Sequence, residues 1–369
     1  MLGNYNRKLR VSFMLLFLVL LVVIVNKIHT HLFAIMTFNS LWNITVPTFL
    51  DWPFASTCIL RVNLDQCRCT RTLQLDKSSC PSQVFLMNKN SYTGARRAVE
   101  GVESSGKSQN QSRCSSWSTQ RGPGQKVVSY SVYGEFPGEY HRGLELLIPQ
   151  VARMYPGWVI RLHLDLKQEQ QREWACRLAC NYDHLDLCDS TNITGVGDVR
   201  GSTPTTWRFC VVGDPLVNRY IVRDADSPIL QREVDAVQQW ITSGKCFHVM
   251  RDNKHHGVNM LAGTWGGCNT WYLSKATSVR DSMLTNAREW NYDQVVLSQH
   301  MWPWASGNVL VHDSYTCEKF PGSLPFPSQR VNDTFVGMRT YRKEFANDGV
   351  RNECPVACRP KTHKDWKYC

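Results

Sequence analysis

At 369 residues with 43% apolar side chains, the chain has enough material for one sizeable α/β domain with appendages. Its net charge of +11 comes from scattered Lys and Arg rather than a basic stripe with interleaved aromatics, so no nucleic-acid partner is read, and a mild positive bias suits a substrate carrying phosphates. Fifteen cysteines, with sequons at Asn43, Asn110, Asn192 and Asn332, argue against a cytosolic protein and for the secretory pathway; the odd count leaves at least one thiol free or paired between chains.

Arg7, Lys8 and Arg10 precede an apolar run from Val11 to Val25. Leu9 and Ile28 lengthen it towards the ~20 residues a membrane-crossing helix needs, and Lys27 can snorkel. No good small-x-small cleavage site directly follows it, so an uncleaved signal anchor over 11–28 is expected, with a cleaved signal peptide as the alternative. The basic tail 1–10 would stay cytosolic and the remainder would be luminal, in the Golgi or endoplasmic reticulum membrane. Residues 29–124 read as an irregular stem. Cys58, Cys67, Cys69 and Cys80 cluster there, and Cys67-Arg68-Cys69 is too tight for an ordinary zinc pair, so disulfides to other partners are expected. The Ser-, Gln- and Gly-rich stretch 101–124 reads as a linker.

Composition changes at Lys126, and a domain over 125–345 follows. Val127–Tyr133 reads as a strand. His141–Tyr155 carries Leu144, Leu147, Ile148 and Val151 at near-helical spacing, with Pro149 inside the pattern. Trp158–Leu164 is a second strand, and strand, helix, strand in this order predicts a βαβ unit and a parallel sheet. A helix over 168–180 and a short strand at Leu185–Leu187 come next. Thr205–Phe209 then leads into a buried strand at Tyr220–Val222. Ile229, Val234, Val237 and Trp240 share a helical face; Phe247–Met250 is another strand, ending in Arg251-Asp252. Met260–Gly267 is apolar and then glycine-rich, helices are expected near 279–289 and from Tyr292, and Val309–Val311 is a last strand closing on His312. The tail 346–369, with Cys354, Cys358 and Cys369, reads as a disulfide-held extension.

The chemistry centres on Asp224-Ala225-Asp226, which leaves the end of the Tyr220–Val222 strand and is stopped by Pro228. A strand end is the usual ligand position in an open α/β sheet. Two close carboxylates repel unless a cation sits between them, and oxygen ligands suit Mg²⁺ or Mn²⁺. The competing reading is a solvated turn whose carboxylates cap backbone amides. Asp252 also follows a strand and could serve as a base in an inverting reaction, or simply pair with Arg251 or another cation. Arg208 could meet a phosphate or lie on the surface. His255-His256 is assigned no metal, because adjacent residues on a strand point apart.

In order, these parts are a βαβ start, an Asp-x-Asp after a strand, a glycine-containing apolar segment, an Asp-Gln helix start and a late strand ending in His. Over residues 125 to 340 the chain therefore resembles the GT-A fold of metal-dependent nucleotide-sugar glycosyltransferases, nearest to the retaining group related to glycogenin and bacterial galactosyltransferases. The resemblance implies a Rossmann-like, mostly parallel sheet flanked by helices. It also implies a divalent Mn²⁺ or Mg²⁺ held by Asp224, Asp226 and His312, with Arg223, Arg208 and Gly263 near the donor. Asp293 and Gln294 would lie beside the donor sugar, with Asp293 bonding its hydroxyls or stabilising positive charge at the anomeric carbon. For Asp293 the alternative is a helix N-cap, and for His312 a histidine bonded to backbone. The chain departs from the family after His312, where Phe320–Pro327 replaces the later His-x-x-Gly-x-x-Lys-Pro-Trp type motif. The expected activity is a type II membrane glycosyltransferase moving a sugar from a nucleotide donor to a glycan, protein or lipid acceptor. The alternative is a non-catalytic luminal or surface glycoprotein using the fold as a binding module. A phosphatase or nuclease reading lacks the extra carboxylates such sites employ.

Overall fold

A computed structural model describes residues 57–64, 67–76, 111–286, 292–339 and 352–369. The expected anchor at 11–28, its cytosolic tail, most of the stem and the sequons at Asn43 and Asn110 lie outside these residues. Among the described residues no helix is long and apolar enough to cross a membrane. Two compact units are distinguished, Met1–Val62 with Thr72–Lys77, and Asn63–Arg71 with Ser78–Cys369. In the first, the described parts belong to strands β1 (Thr57–Leu64) and β2 (Cys69–Asp76), which pair with each other. The stretch predicted to be irregular therefore contains a hairpin, whose interspersed polar residues, such as Arg61, Asn63, Arg71 and Gln74, hide it from a search for apolar runs.

The second unit is a seven-stranded sheet in the order β5-β4-β3-β6-β8-β7-β9. Its strands are β3 (Gln125–Ser131), β4 (Trp158–Leu164), β5 (Leu185–Asp189), β6 (Val217–Arg223), β7 (Phe247–Arg251), β8 (Thr264–Cys268) and β9 (Val309–Asp313). All run parallel except β8, which is antiparallel to both neighbours. Every residue of β4 is buried, as a strand covered on both faces requires.

Helices α2 (Glu139–Met154), α3 (Glu169–Asn181) and α4 (Gln231–Thr242) pack on one face of the sheet. There Leu144, Leu147, Ile148 and Val151 meet Ile160, Leu162, Val237 and Trp240 in one apolar cluster. The predicted face of α2 is thus the one buried; Pro149 lies on its exposed side, and the helix runs through it. On the opposite face, α5 (Leu273–Asn286) and α6 (Tyr292–Val296) contribute to a second cluster around Phe209, Trp265 and Met283. A turn over Leu297–Met301 and the short α7 (Trp302–Ala305) lead into β9.

Strand β8 has no apolar alternation in sequence, because glycines stand where neighbours take the space. A Cβ on Gly266 would lie 2.7 Å from the Tyr220 carbonyl oxygen, and one on Gly267 2.4 Å from the Tyr220 hydroxyl. Thr205–Phe209 falls inside a 3₁₀ helix, Pro204–Val211.

The linker expectation for 101–124 is corrected over its described part. Helix α1 (Ser116–Gln120) forms there, Cys114 is bonded to Cys188, and Ser112 Oγ and the Arg113 amide donate to buried Asp214 at 2.9 and 2.6 Å. Asp214 also pairs with Arg161 of β4, whose other amino group donates to Gln125 at 2.9 Å. At the tip of the hairpin, Cys67 and Cys69 bond to Cys176 and Cys180, one helical turn apart on α3. Cys246–Cys268, Cys317–Cys358 and Cys354–Cys369 complete the disulfides among the described residues, and Cys210 is a free, buried thiol. The sequon residues Asn192 and Asn332 are both exposed.

Asp214→Ala strands the Arg161 guanidinium in the core without its carboxylate. We expect a loss of about 3–5 kcal/mol of stability, read as a lowered urea midpoint at unchanged m-value.

Candidate active site

The chain adds β4 and β5 on one side of β3 and then places β6 on the other. The carboxyl ends of β3 and β6 therefore flank the point where strand order reverses, where open α/β sheets bind their ligands. Tyr133 emerges just beyond β3, and Asp224 is the first residue beyond β6. The 3₁₀ helix brings Arg208 between them. Ser131 Oγ accepts from the Arg208 amide at 2.8 Å, and Ser129 Oγ donates to the Arg208 carbonyl at 2.7 Å, so two serines of β3 fix its backbone.

The guanidinium of Arg208 is nearly buried and holds three acceptors. Nη1 donates to Asp224 Oδ1 at 2.5 Å and to the Arg223 carbonyl at 2.9 Å, and Nη2 donates to Asp293 Oδ2 at 3.3 Å. Nε is buried with no hydrogen-bond partner. Burial opposes the charge of Arg208, but Asp224 and Asp293 more than offset it and hold the guanidinium protonated. Burial likewise opposes ionisation of Asp224, and the charge and hydrogen bond of Arg208 win, keeping that carboxyl below the usual carboxylate range.

Two contacts shape the floor of this group. A Cβ on Gly263 would sit 1.9 Å from Asp224 Oδ2, so only glycine lets the segment before β8 lie against that carboxylate. Gln294 ties the same segment to α6: its Oε1 accepts from the Ala262 amide at 3.1 Å and its amide nitrogen donates to the Met260 carbonyl. Asp293 Oδ1 accepts from the Gln294 amide at 2.9 Å, leaving Oδ2 for Arg208.

Asp226 differs from Asp224. Burial, and then the neighbouring Asp224 carboxylate, push its carboxyl up to about 6, with only partial relief from Arg339 at 3.7 Å. Tyr133, half-buried, packs on Tyr140 with ring centroids 5.5 Å apart, and its hydroxyl is raised by burial and by Tyr140. The sequence reading assigned no role to Tyr133 or Arg339. Tyr133 could have been found, since it ends the first predicted strand; nothing local marks Arg339.

Three assigned residues lie elsewhere. Arg223 points into the core, where Nε donates to Glu233 at 2.6 Å and Nη1 to the Val222 and Trp265 carbonyls. Its neighbour Asp224 faces the site instead. Asp252 is fully buried and shared by Arg232, Arg330, Ser314 and the Val336 amide, so both its oxygens are occupied and it holds loops rather than serving as a base. Its partners are Arg232 and Arg330, while Arg251 pairs with Asp313 at 2.7 Å.

His312 stands on β9, three strands from β6, about 14 Å across the sheet at the usual strand spacing. It is buried, and both its nitrogens are within 2.8 Å of partners: Nε2 of Gln239 Oε1, Nδ1 of His248 Nε2. Burial lowers its pKa to about 3, so with Gln239 placed this way the neutral ring donates from Nε2 and accepts at Nδ1. The structure therefore brings Asp224, Asp226, Arg208, Gly263, Asp293 and Gln294 together, and does not bring His312 to them. Among the described residues no group of three His, Cys, Asp or Glu could by itself hold a metal ion.

No protein-family model matches the chain, and no curated protein matches it in sequence. Among solved structures, similarity is found to a glycosyltransferase involved in the glycosylation of the major capsid of PBCV-1, at 14% identity and a TM-score of 0.31, covering 54% of this chain and 87% of that one. It is also found to a 4-diphosphocytidyl-2C-methyl-D-erythritol synthase from Anaerococcus prevotii DSM 20548, at 10% identity and a TM-score of 0.33, covering 51% and 86%. A third similarity is to the apo WbbM bifunctional glycosyltransferase, at 11% identity and a TM-score of 0.34; it covers 51% of this chain and only 38% of that one. Likenesses this loose carry no argument, and the functional reading rests on the residues of this chain.

The buried histidines generate a pH dependence. Burial lowers His163 and His312 to about 3. Between that value and the unfolded pKa of about 6.5, the unfolded chain binds protons that the folded chain refuses, so stability falls as pH drops below the unfolded value. From pH 8 to pH 5 we expect a loss of roughly 2 kcal/mol per histidine, read from urea midpoints, and a shallower loss in His312→Gln.

Proposed function

We propose that the chain is a GT-A-type glycosyltransferase that moves a sugar from a nucleotide-sugar donor to a glycan, protein or lipid acceptor. The observation that carries this reading is the chain of contacts Asp224–Arg208–Asp293 at the switch point between β3 and β6. It puts a cationic fork and carboxylates where an α/β sheet receives a phosphorylated ligand.

The residues present fit a divalent Mn²⁺ or Mg²⁺. Such ions are commonly held by one or two carboxylates, with substrate phosphates filling other positions. Asp224 and Asp226 would be the protein ligands; burial, and then the Asp224 carboxylate, raise the Asp226 carboxyl, and a cation between the two would relieve their repulsion. The bound ion supplies charge against the negative charge developing on the departing diphosphate. Arg208 adds a guanidinium beside the same carboxylates, carried on a backbone that Ser129 and Ser131 fix. Gly263 lets the backbone approach the cation carboxylate. Gln294 holds that backbone in place, and Asp293 is the carboxylate positioned for the donor sugar. Retention of anomeric configuration is our reading for this arrangement. We place the protein in the Golgi or endoplasmic reticulum membrane, held by residues 11–28 with its folded part luminal.

The test is turnover of a panel of nucleotide sugars by the purified chain with Mn²⁺. We expect hydrolysis of at least one donor, and a loss of about 100-fold or more in Asp224→Ala and Asp226→Ala, as removing a transition-state charge contact implies. Absence of turnover and of any Mn²⁺-dependent thermal stabilisation would favour the binding-module reading. Gly263→Ala, which drives a methyl group into Asp224, should cost about 100-fold in kcat/KM while the cation-free Tm stays within a few degrees, the signature of a misplaced group rather than a broken fold.

A further inference from the structure

Arg208 poses a problem for a cation site. The carboxylate expected to bind the cation already has a counter-ion within the protein, because Nη1 of Arg208 lies 2.5 Å from Asp224 Oδ1. The same guanidinium reaches Asp293 with Nη2, while its buried Nε has no hydrogen-bond partner. Gly263 lies close against Asp224, and Ser131 holds the backbone amide of Arg208, so the carboxylate and the guanidinium share a confined space.

We infer that Arg208 is a positioning residue that competes with the divalent cation for Asp224 and couples occupancy of the cation site to Asp293. This inference rests on the reading of Asp224 and Asp226 as cation ligands. Without the ion, the guanidinium neutralises Asp224 and fastens it to Asp293. A cation that takes Asp224 must displace that hydrogen bond, so part of its binding free energy is spent on freeing the arginine. Arg208 still has Asp293 as a partner when it lets go, and this second carboxylate makes the exchange less costly. Reciprocity follows from linkage: whatever weakens the arginine's hold on Asp224 tightens the cation, and the converse. An arginine with a purely architectural role would behave the other way, since its loss would disorder Asp224 and weaken the cation.

The measurement is Mn²⁺ affinity of the purified full chain, by electron paramagnetic resonance of the free ion and by Mn²⁺-dependent thermal shift, without donor. Relative to wild type, Arg208→Gln should bind Mn²⁺ about five- to tenfold more tightly, the lower range of ordinary site-to-site coupling, while its cation-free Tm falls. Arg208→Lys, which keeps the charge but not the two-pronged fork, should lie between the two. Asp293→Asn should weaken Mn²⁺ severalfold, because the arginine is then left wholly to Asp224. In the Arg208→Gln background the same change should have little effect, since the arginine through which it acts is gone. Equal or weaker Mn²⁺ binding in a folded Arg208→Gln would overturn the inference. So would an Asp293→Asn effect of the same size in both backgrounds, which reports only the loss of a distant charge. Wild type and every variant failing to bind Mn²⁺ would instead sink the cation reading itself, and the inference with it. Binding that is equal in wild type and Arg208→Gln leaves the cation reading standing and removes only the coupling.

Discussion

Asp224 is held by one guanidinium that also holds Asp293, and much of the surrounding architecture serves that contact. A carboxylate taken partly out of water needs a nearby positive charge or it takes up a proton. Arg208 supplies the charge, but only because the 3₁₀ helix carrying it is pinned under β3 by Ser129 and Ser131. The close fit of Gly263 against Asp224 and the Gln294 bonds to the 260–262 backbone then leave the carboxylate little room to move. Asp226, two residues on, has Arg339 at 3.7 Å as its nearby cation, and burial, then the Asp224 carboxylate, raise its carboxyl. One carboxylate is compensated inside the protein by Arg208, and the next is only partly relieved by Arg339.

The same sheet carries a second set of buried charges that does no chemistry at the switch point. Asp252 gathers Arg232, Arg330 and Ser314, and Arg251 pairs with Asp313. These groups sit at the carboxyl ends of β7 and β9, towards the far edge of the sheet. They tie the segments after β9 to the body by charge-assisted bonds, and Cys317–Cys358 and Cys354–Cys369 add covalent ties within the same part of the chain. His312 and His248 belong there too, as a neutral hydrogen-bonded pair against Gln239. A buried charge and a ligand-binding charge look alike in sequence, because both are acidic or basic residues at strand ends. They separate by whether their hydrogen-bonding capacity is already used up within the fold.

Much of the sheet was legible from the chain. Periodicity located β3, α2, β4, α3, β5, β6, α4, β7 and β9 within a few residues, because their apolar residues alternate or recur at helical spacing. It missed β8, where glycines make room for Tyr220, and it missed the β1–β2 hairpin, whose polar residues break the apolar pattern. In the site, the Asp-x-Asp at a strand end and the Asp-Gln at a helix start were visible as patterns. That Asp224 and Asp293 share Arg208, a residue 85 positions before Asp293, was not. Neither was the inward turn of Arg223, which depends on Glu233 and Tyr155 meeting on the other face of the sheet.

By itself the sequence determined that residues beyond Lys126 form a βαβ-initiated α/β sheet, that two carboxylates leave one strand end together, and that disulfides form. These follow from local rules: period-two and helical apolar spacing, proline and glycine as breakers, and the number of thiols. Only the tertiary structure decided strand order, and with it which strand ends face each other. Strand order depends on which apolar faces bury one another across long stretches of chain, and no local pattern encodes it. Because β6 lies beside β3 and β9 lies three strands away, Arg208 rather than His312 became the partner of Asp224.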